Sequence, residues 1–153
     1  MEEMDILVIL DLNAESAEDV ITSLGSLLER NGFVKPTFIP ATLEREKSVP
    51  TGLELQGGIN AALPHAGVEH VNRPALVVAR LKKEVLFRKM DDPEASIPVK
   101  LVFMPAIKDP HSYITTLMKL VDVFKDPETV KKLVEAKSEE EVVEILKEKL
   151  VSE

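Results

Sequence analysis

Residues 45–70 read REKSVPTGLELQGGINAALPHAGVEH. A histidine sits directly behind a proline, at the end of the apolar run 61–63 and just ahead of a glycine. Pro64 fixes its own φ and biases Leu63 toward an extended conformation, so residues 61–63 predict a strand that ends at His65. The imidazole is then expected at a strand edge or end rather than in a core. Gly57-Gly58 predicts a hairpin turn between residues 53–56 and 59–63. Neutral imidazole can attack phosphorus and leave it again near neutral pH, which makes His65 a candidate nucleophile. The plainer alternative is an exposed polar residue in a loop, the commoner fate of a lone histidine.

Just upstream, Pro40 suits the first residue of a short helix over 41–47, whose exposed side carries Glu44, Arg45 and Lys47. By pattern alone Arg45 is an ordinary solvated charge. Further back, residues 5–12 are apolar with β-branched content, and periodicity does not decide between a strand and a packed extended lead-in. Ser16, with Asp19 three positions on, predicts a helix start resembling a capping box. Val20, Ile21, Leu24, Leu27 and Leu28 follow at helical spacing, and Gly32 ends that helix after Asn31.

Downstream, residues 74–81 and 84–87 predict two strands joined by Lys82-Lys83 as a polar turn. Asp91-Asp92-Pro93-Glu94 reads as a solvated acidic loop, since no calcium-loop glycine pattern accompanies it. Residues 97–106 are the most strand-like run in the chain. They lead to Asp109-Pro110-His111, where Asp109 can cap, Pro110 can open a helix, and His111 falls in the first turn, close to unpaired N–H groups that suit an anion. Ile114, Leu117, Leu120, Val121 and Phe124 give that helix its apolar face. Asp126-Pro127 and Ser138 with Glu141 predict two further helices.

The 153 residues suffice for one domain with a real core, and 44% hydrophobic against 30% charged residues places the chain among globular rather than disordered sequences. The longest apolar runs, 6–10 and 101–107, are far too short for a bilayer span. The acidic start MEEMD lacks the basic region of a secretory signal, and the absence of cysteine excludes disulfides and thiolate chemistry. A net charge of −8 argues against general nucleic-acid binding and suits a partner with a positive docking face. Neither G-x-x-x-x-G-K nor G-x-G-x-x-G occurs, so a nucleotide-binding kinase is unsupported. A zinc pair of His65 with His70 lacks further ligands, and His70 is read as structural or solvent-facing. Mixed helix and strand signals predict an α/β domain with helices flanking a central sheet.

Arg45-Glu46-Lys47, Pro50-Thr51-Gly52 and Ala62-Leu63-Pro64-His65 together resemble the active-site region of the fructose–mannitol superfamily of enzyme IIA domains of the bacterial sugar phosphotransferase system. The galactitol-type branch, with its longer Thr-Gly to Pro-His segment, is the most similar. The resemblance extends through the N-terminal helix pattern, residues 71–74, residues 99–105 and the helical C-terminal part. It implies a single domain over 1–153 with a mixed sheet and a cytoplasmic phosphocarrier with no cofactor and no metal. His65 would be transiently phosphorylated on Nε2, with Arg45 beside it and His111 as the second active-site histidine.

The implied partners are phospho-HPr as donor, a cysteine of the cognate IIB protein or domain as acceptor, and indirectly the membrane IIC component, with galactitol as the branch-level sugar. Neither nucleic acid nor direct membrane insertion is implied. Between Thr51 and His65 the chain departs from the mannitol type, so the glutamate found near that family's histidine is not carried over, and Gln56 and Asn60 are left unassigned. A regulatory IIA-like module, whose phosphorylation state controls a partner protein, is the alternative from another functional class. A non-catalytic binding protein using the same cleft is a third.

Overall fold

The structure is a computed structural model and describes residues 3–151; the first two residues of the acidic lead lie outside them. In chain order the described residues form β1 (Asp5–Leu12), α1 (Ala17–Arg30), α2 (Phe38–Ser48), β2 (Gly52–Leu53), β3 (Ala61–Ala62), β4 (Ala75–Arg88), β5 (Ser96–Ala106), α3 (Tyr113–Phe124), α4 (Pro127–Glu135) and α5 (Glu139–Val151). Short 3-10 turns, Val68–His70 and Pro110–Ser112, precede β4 and α3. The strands make one mixed sheet in the order β1-β4-β5-β3-β2. β1 runs parallel to β4 and β3 parallel to β5, while β4 with β5 and β2 with β3 are antiparallel. This is the mixed α/β architecture that the resemblance implies, and residues 5–12 prove to be a strand. No helix among the described residues is long and apolar enough to cross a membrane.

Alternation along the central strands divides the core into two layers. Val77, Ala79 and Leu81 of β4 face Val20, Ile21, Leu24, Leu28 and Phe38 of α1 and α2. Leu76 and Val78 of β4 and Leu101 and Phe103 of β5 face Leu120, Phe124, Leu133 and Leu146 of α3, α4 and α5. Phe103 and Phe124 lock the second layer with ring centroids 4.4 Å apart. Two helix starts follow the serine rule: Ser16 Oγ accepts the Asp19 N–H at 3.1 Å and Ser138 Oγ accepts the Glu141 N–H at 3.1 Å. In both, the acidic side chain reaches back to the residue before the serine, Asp19 to the Glu15 N–H and Glu141 to the Lys137 N–H.

Four sequence expectations change. The helix expected to open at Pro110 begins instead at Tyr113, because Asp109 accepts the His111 N–H and caps a separate 3-10 turn over Pro110–Ser112. The other three concern β4, α2 and the hairpin. Residues 74–81 and 84–87 are not two strands with a turn at Lys82-Lys83. They form the single strand β4, which crosses that point with a register shift between Arg80 and Val85 while β5 pairs with it on both sides. A bulge absorbs the exposed, charged 82–84 segment without breaking the ladder. Secondly, α2 begins at Phe38 rather than at residue 41, which puts Pro40 in its first turn, where no intrahelical N–H partner is needed. Thirdly, the hairpin at Gly57 and Gly58 forms, with φ +91° and +85°, but its strands are two residues each. The Asn60 side chain replaces ladder bonds there, accepting the Leu55 N–H at 3.1 Å and donating to the Pro98 carbonyl at 3.0 Å.

Candidate active site

α2 and the end of β3 meet at His65. β3 stops at Ala62, and residues 63–66 continue as irregular backbone behind Pro64. The ring that was expected at an open strand end is more enclosed, with His65 only 7% exposed. Two side chains lie against it. Arg45, itself solvent-exposed on α2, lays its guanidinium on one ring nitrogen, and the Tyr113 ring packs edge-on with centroids 6.2 Å apart. Tyr113 is held in turn by its hydroxyl, which donates to the Ala66 carbonyl at 3.2 Å. Burial pushes the Tyr113 phenol above its usual pKa.

Both imidazole nitrogens have partners. Nδ1 lies 2.7 Å from the Leu63 carbonyl oxygen, and Arg45 Nε lies 3.1 Å from Nε2. A carbonyl only accepts and a guanidinium N–H only donates, so the partners assign the tautomer: Nδ1 carries the hydrogen and Nε2 carries the lone pair. Burial lowers the His65 pKa below 6.5; the Leu63 hydrogen bond opposes that shift and the Arg45 charge adds to it. The ring is therefore neutral, with the Nε2 lone pair accepting the N–H of an exposed cation.

Leu63 is anchored in its own right. Its N–H donates to Thr51 Oγ1 at 3.1 Å, and the Thr51 hydroxyl donates to Glu46 Oε1 at 2.9 Å. The Thr51 N–H reaches Glu46 Oε2 at 2.9 Å. Thr51 is 1% exposed, and burial raises the Glu46 pKa above 4.5 in spite of these bonds and the nearby Arg88 and Arg45 charges. The glycine of Pro-Thr-Gly also has a physical reason. A Cβ on Gly52 would lie 2.6 Å from the Arg88 carbonyl oxygen, because the chain leaving β4 bridges alongside β2, where the Met90 N–H donates to the Gly52 carbonyl.

Of the three candidate residues, the structure brings Arg45 and His65 into hydrogen-bond contact. His111 stands exposed in the 3-10 turn two residues ahead of Tyr113, its backbone N–H bound to Asp109 Oδ1 at 3.0 Å. Its ring makes no hydrogen bond or ring contact with His65 among the described residues. His70 lies apart, with Nδ1 2.8 Å from Thr37 Oγ1, in keeping with its structural reading. Tyr113 was missed as a neighbour of His65; its helix was visible, but no local signal ties residue 113 to residue 65. The Leu63 carbonyl could not have been found by motif, since every residue carries one.

Residues 4–149 match the family described as phosphoenolpyruvate-dependent sugar phosphotransferase system, EIIA 2. A mannitol-specific EIICBA component of Vibrio cholerae is 31% identical over 140 residues, which is 90% of this chain and 20% of that protein. This chain thus spans about a fifth of that longer relative. A galactitol-specific EIIA component of Escherichia coli K12 is 28% identical over 116 residues, 76% of either protein. The solution structure of a complex of mannitol enzyme IIA with phosphorylated enzyme IIB, from Escherichia coli, contains a chain with TM-score 0.71 and 27% identity, covering 91% of this chain and 92% of that one.

Proposed function

This chain belongs to the EIIA type 2 family of the phosphoenolpyruvate-dependent sugar phosphotransferase system, and on that premise we propose that His65 is its phosphoryl acceptor, through Nε2. IIA domains of this family are phosphotransferase components that work through a phosphohistidine. The single observation that carries the assignment is the tautomer: Nδ1 is committed to the Leu63 carbonyl, which leaves Nε2 with its lone pair beside Arg45.

The step balances without an added acid or base. Once the Arg45 N–H that it accepts has moved off, the Nε2 lone pair forms a bond to the phosphorus of phospho-HPr, and the bond from phosphorus to the donor nitrogen breaks with its electron pair returning to the donor. The Nδ1 hydrogen stays in place, so the phosphorylated ring is cationic and the Leu63 carbonyl stabilises it. When a IIB cysteine thiolate attacks the same phosphorus, the N–P electrons return to Nε2 and the starting tautomer is restored. Catalysis then consists of in-line positioning and neutralising the phosphoryl oxygens, for which the Arg45 fork is suited. His111, exposed at the approach to α3, is proposed as a second donor that meets the phosphoryl group once the partner has docked.

Support for phospho-HPr as donor and a IIB cysteine as acceptor is the family membership and the mannitol IIA complex with phosphorylated IIB. Galactitol is our proposed sugar for the system served. It rests on the mutual coverage with the galactitol-specific EIIA component and on the long segment between Thr51 and His65. We read residues 1–153 as one phosphocarrier unit working in the cytoplasm.

The experiment is phosphorylation by phospho-HPr followed by intact-mass measurement, then a panel of IIB proteins as acceptors. Wild type is expected to gain one phosphoryl group and lose it to a galactitol-type IIB; His65→Ala should gain none. A full mass shift on the His65→Ala protein overturns the assignment. Retention of the group in the presence of every IIB would favour the regulatory-module reading.

A further inference from the structure

Arg45 and Glu46 are neighbours on α2, and each reaches a different nitrogen of the same imidazole. Arg45 touches Nε2 directly. Glu46 works at a distance: its carboxylate takes both donors of Thr51, the Thr51 oxygen takes the Leu63 N–H, and the Leu63 carbonyl takes the Nδ1 hydrogen. The direction of each bond is forced. A threonine hydroxyl has one hydrogen, and with that hydrogen committed to Glu46 only a lone pair can face Leu63. Leu63, 2% exposed and restricted by the following Pro64, is thereby pinned on both sides of its Cα.

We infer that Thr51 and Glu46 are positioning residues for phosphoryl transfer, holding the Leu63 backbone so that Nδ1 keeps the hydrogen and Nε2 remains the nucleophile. This rests on the reading of His65 as acceptor and deepens it. If the clamp loosens, the Leu63 carbonyl can turn away, Nδ1 loses its fixed acceptor, and the ring exchanges tautomers and rotates. With only the Arg45 N–H left to hold the tautomer, Nε2 then spends part of its time protonated, without a lone pair to offer. Thr51 is 1% exposed, so its side chain does not itself meet a docking protein.

The test uses the full chain with Thr51→Val, Thr51→Ser, Glu46→Gln and wild type. Two quantities are read: the ring 15N shifts of His65, which report the tautomer, and the single-turnover rate of phosphoryl acceptance from phospho-HPr. Thr51→Val is expected to mix the tautomers and slow acceptance by about tenfold, the rate equivalent of one hydrogen bond to a charged group. Thr51→Ser keeps the hydroxyl and should return both readouts to wild type. Glu46→Gln retains shape but offers an N–H to the Thr51 oxygen, so it should mix the tautomers even if Thr51→Val fails to fold.

Wild-type ring shifts in both Thr51→Val and Glu46→Gln overturn the inference. So does a slowed rate with unchanged shifts, because it would mean the residues act through the fold alone. If wild type accepts no phosphoryl group, the acceptor reading of His65 fails, whereas the shifts still decide whether Thr51 and Glu46 set the ring.

Discussion

At His65 the physics is that of a neutral base kept neutral. Its folded pKa lies below 6.5, so between 6.5 and the folded value the unfolded chain binds the proton and the native ring does not. The contribution of His65 to stability is therefore complete above pH 6.5 and is lost as pH falls through the folded pKa. Chemical denaturation across that window should show a decline for wild type that is missing in His65→Ala. Phosphoryl acceptance should likewise persist somewhat below pH 6.5, and a pH–rate profile that breaks above 6.5 would contradict this. Arg45→Ala is expected to slow transfer by about 10²–10³, the usual cost of one donor aimed at developing charge, with a smaller change in donor affinity. Rapid quench decides it: equal rates would remove Arg45 from the mechanism. His65 and Arg45 were legible because they stand in a local pattern. The Leu63 carbonyl and Tyr113 were not, because their proximity to the ring is created by the path of β3 and the start of α3.

Among the elements, the helices were readable nearly to the residue where a cap marked them, as Ser16, Asp126 and Ser138 did. Boundaries slipped at Thr37, which precedes α2 and makes no capping bond with its side chain, and at α3, where the Asp109 cap serves a 3-10 turn three residues ahead of the helix. Strand lengths were harder. The break expected at Lys82-Lys83 became a bulge because pairing with β5 outweighs local polarity, and the hairpin shortened because one asparagine side chain took over ladder bonds. Gly52 shows what such an element tolerates. Gly52→Ala drives a methyl against the Arg88 carbonyl and should cost about 1–3 kcal/mol, as overpacking generally does. The denaturation midpoint measures it, and an unchanged midpoint would mean that β2 and β4 can separate freely.

For the whole molecule, one sheet carries two unequal layers, with α1 and α2 on one face and α3, α4 and α5 on the other. The α/β class and the flanking helices were visible in the mixed periodicities. The strand order β1-β4-β5-β3-β2 was not, since it depends on crossovers that leave no mark on any short window. The layers share β4 and β5, so damage to one should be felt by both. Phe103→Ala empties the contact with Phe124 and should cost about 3–5 kcal/mol. Unfolding should remain a single transition with an unchanged urea slope; two separated transitions would show that the layers fold independently.

The placement of the Arg45 guanidinium on Nε2 has a bearing on what the protein does while idle. A nucleophile left bare in a cell would react with any small activated phosphate or acyl compound that drifts past. Here the lone pair is already engaged, and the engaging group is an exposed side chain. A diffusing metabolite has little binding energy with which to displace it. On the proposed role of His65 as acceptor, a docking protein that carries a dianion for the guanidinium to follow would bring both the driving force and the destination, and the resting pose would favour the proper donor.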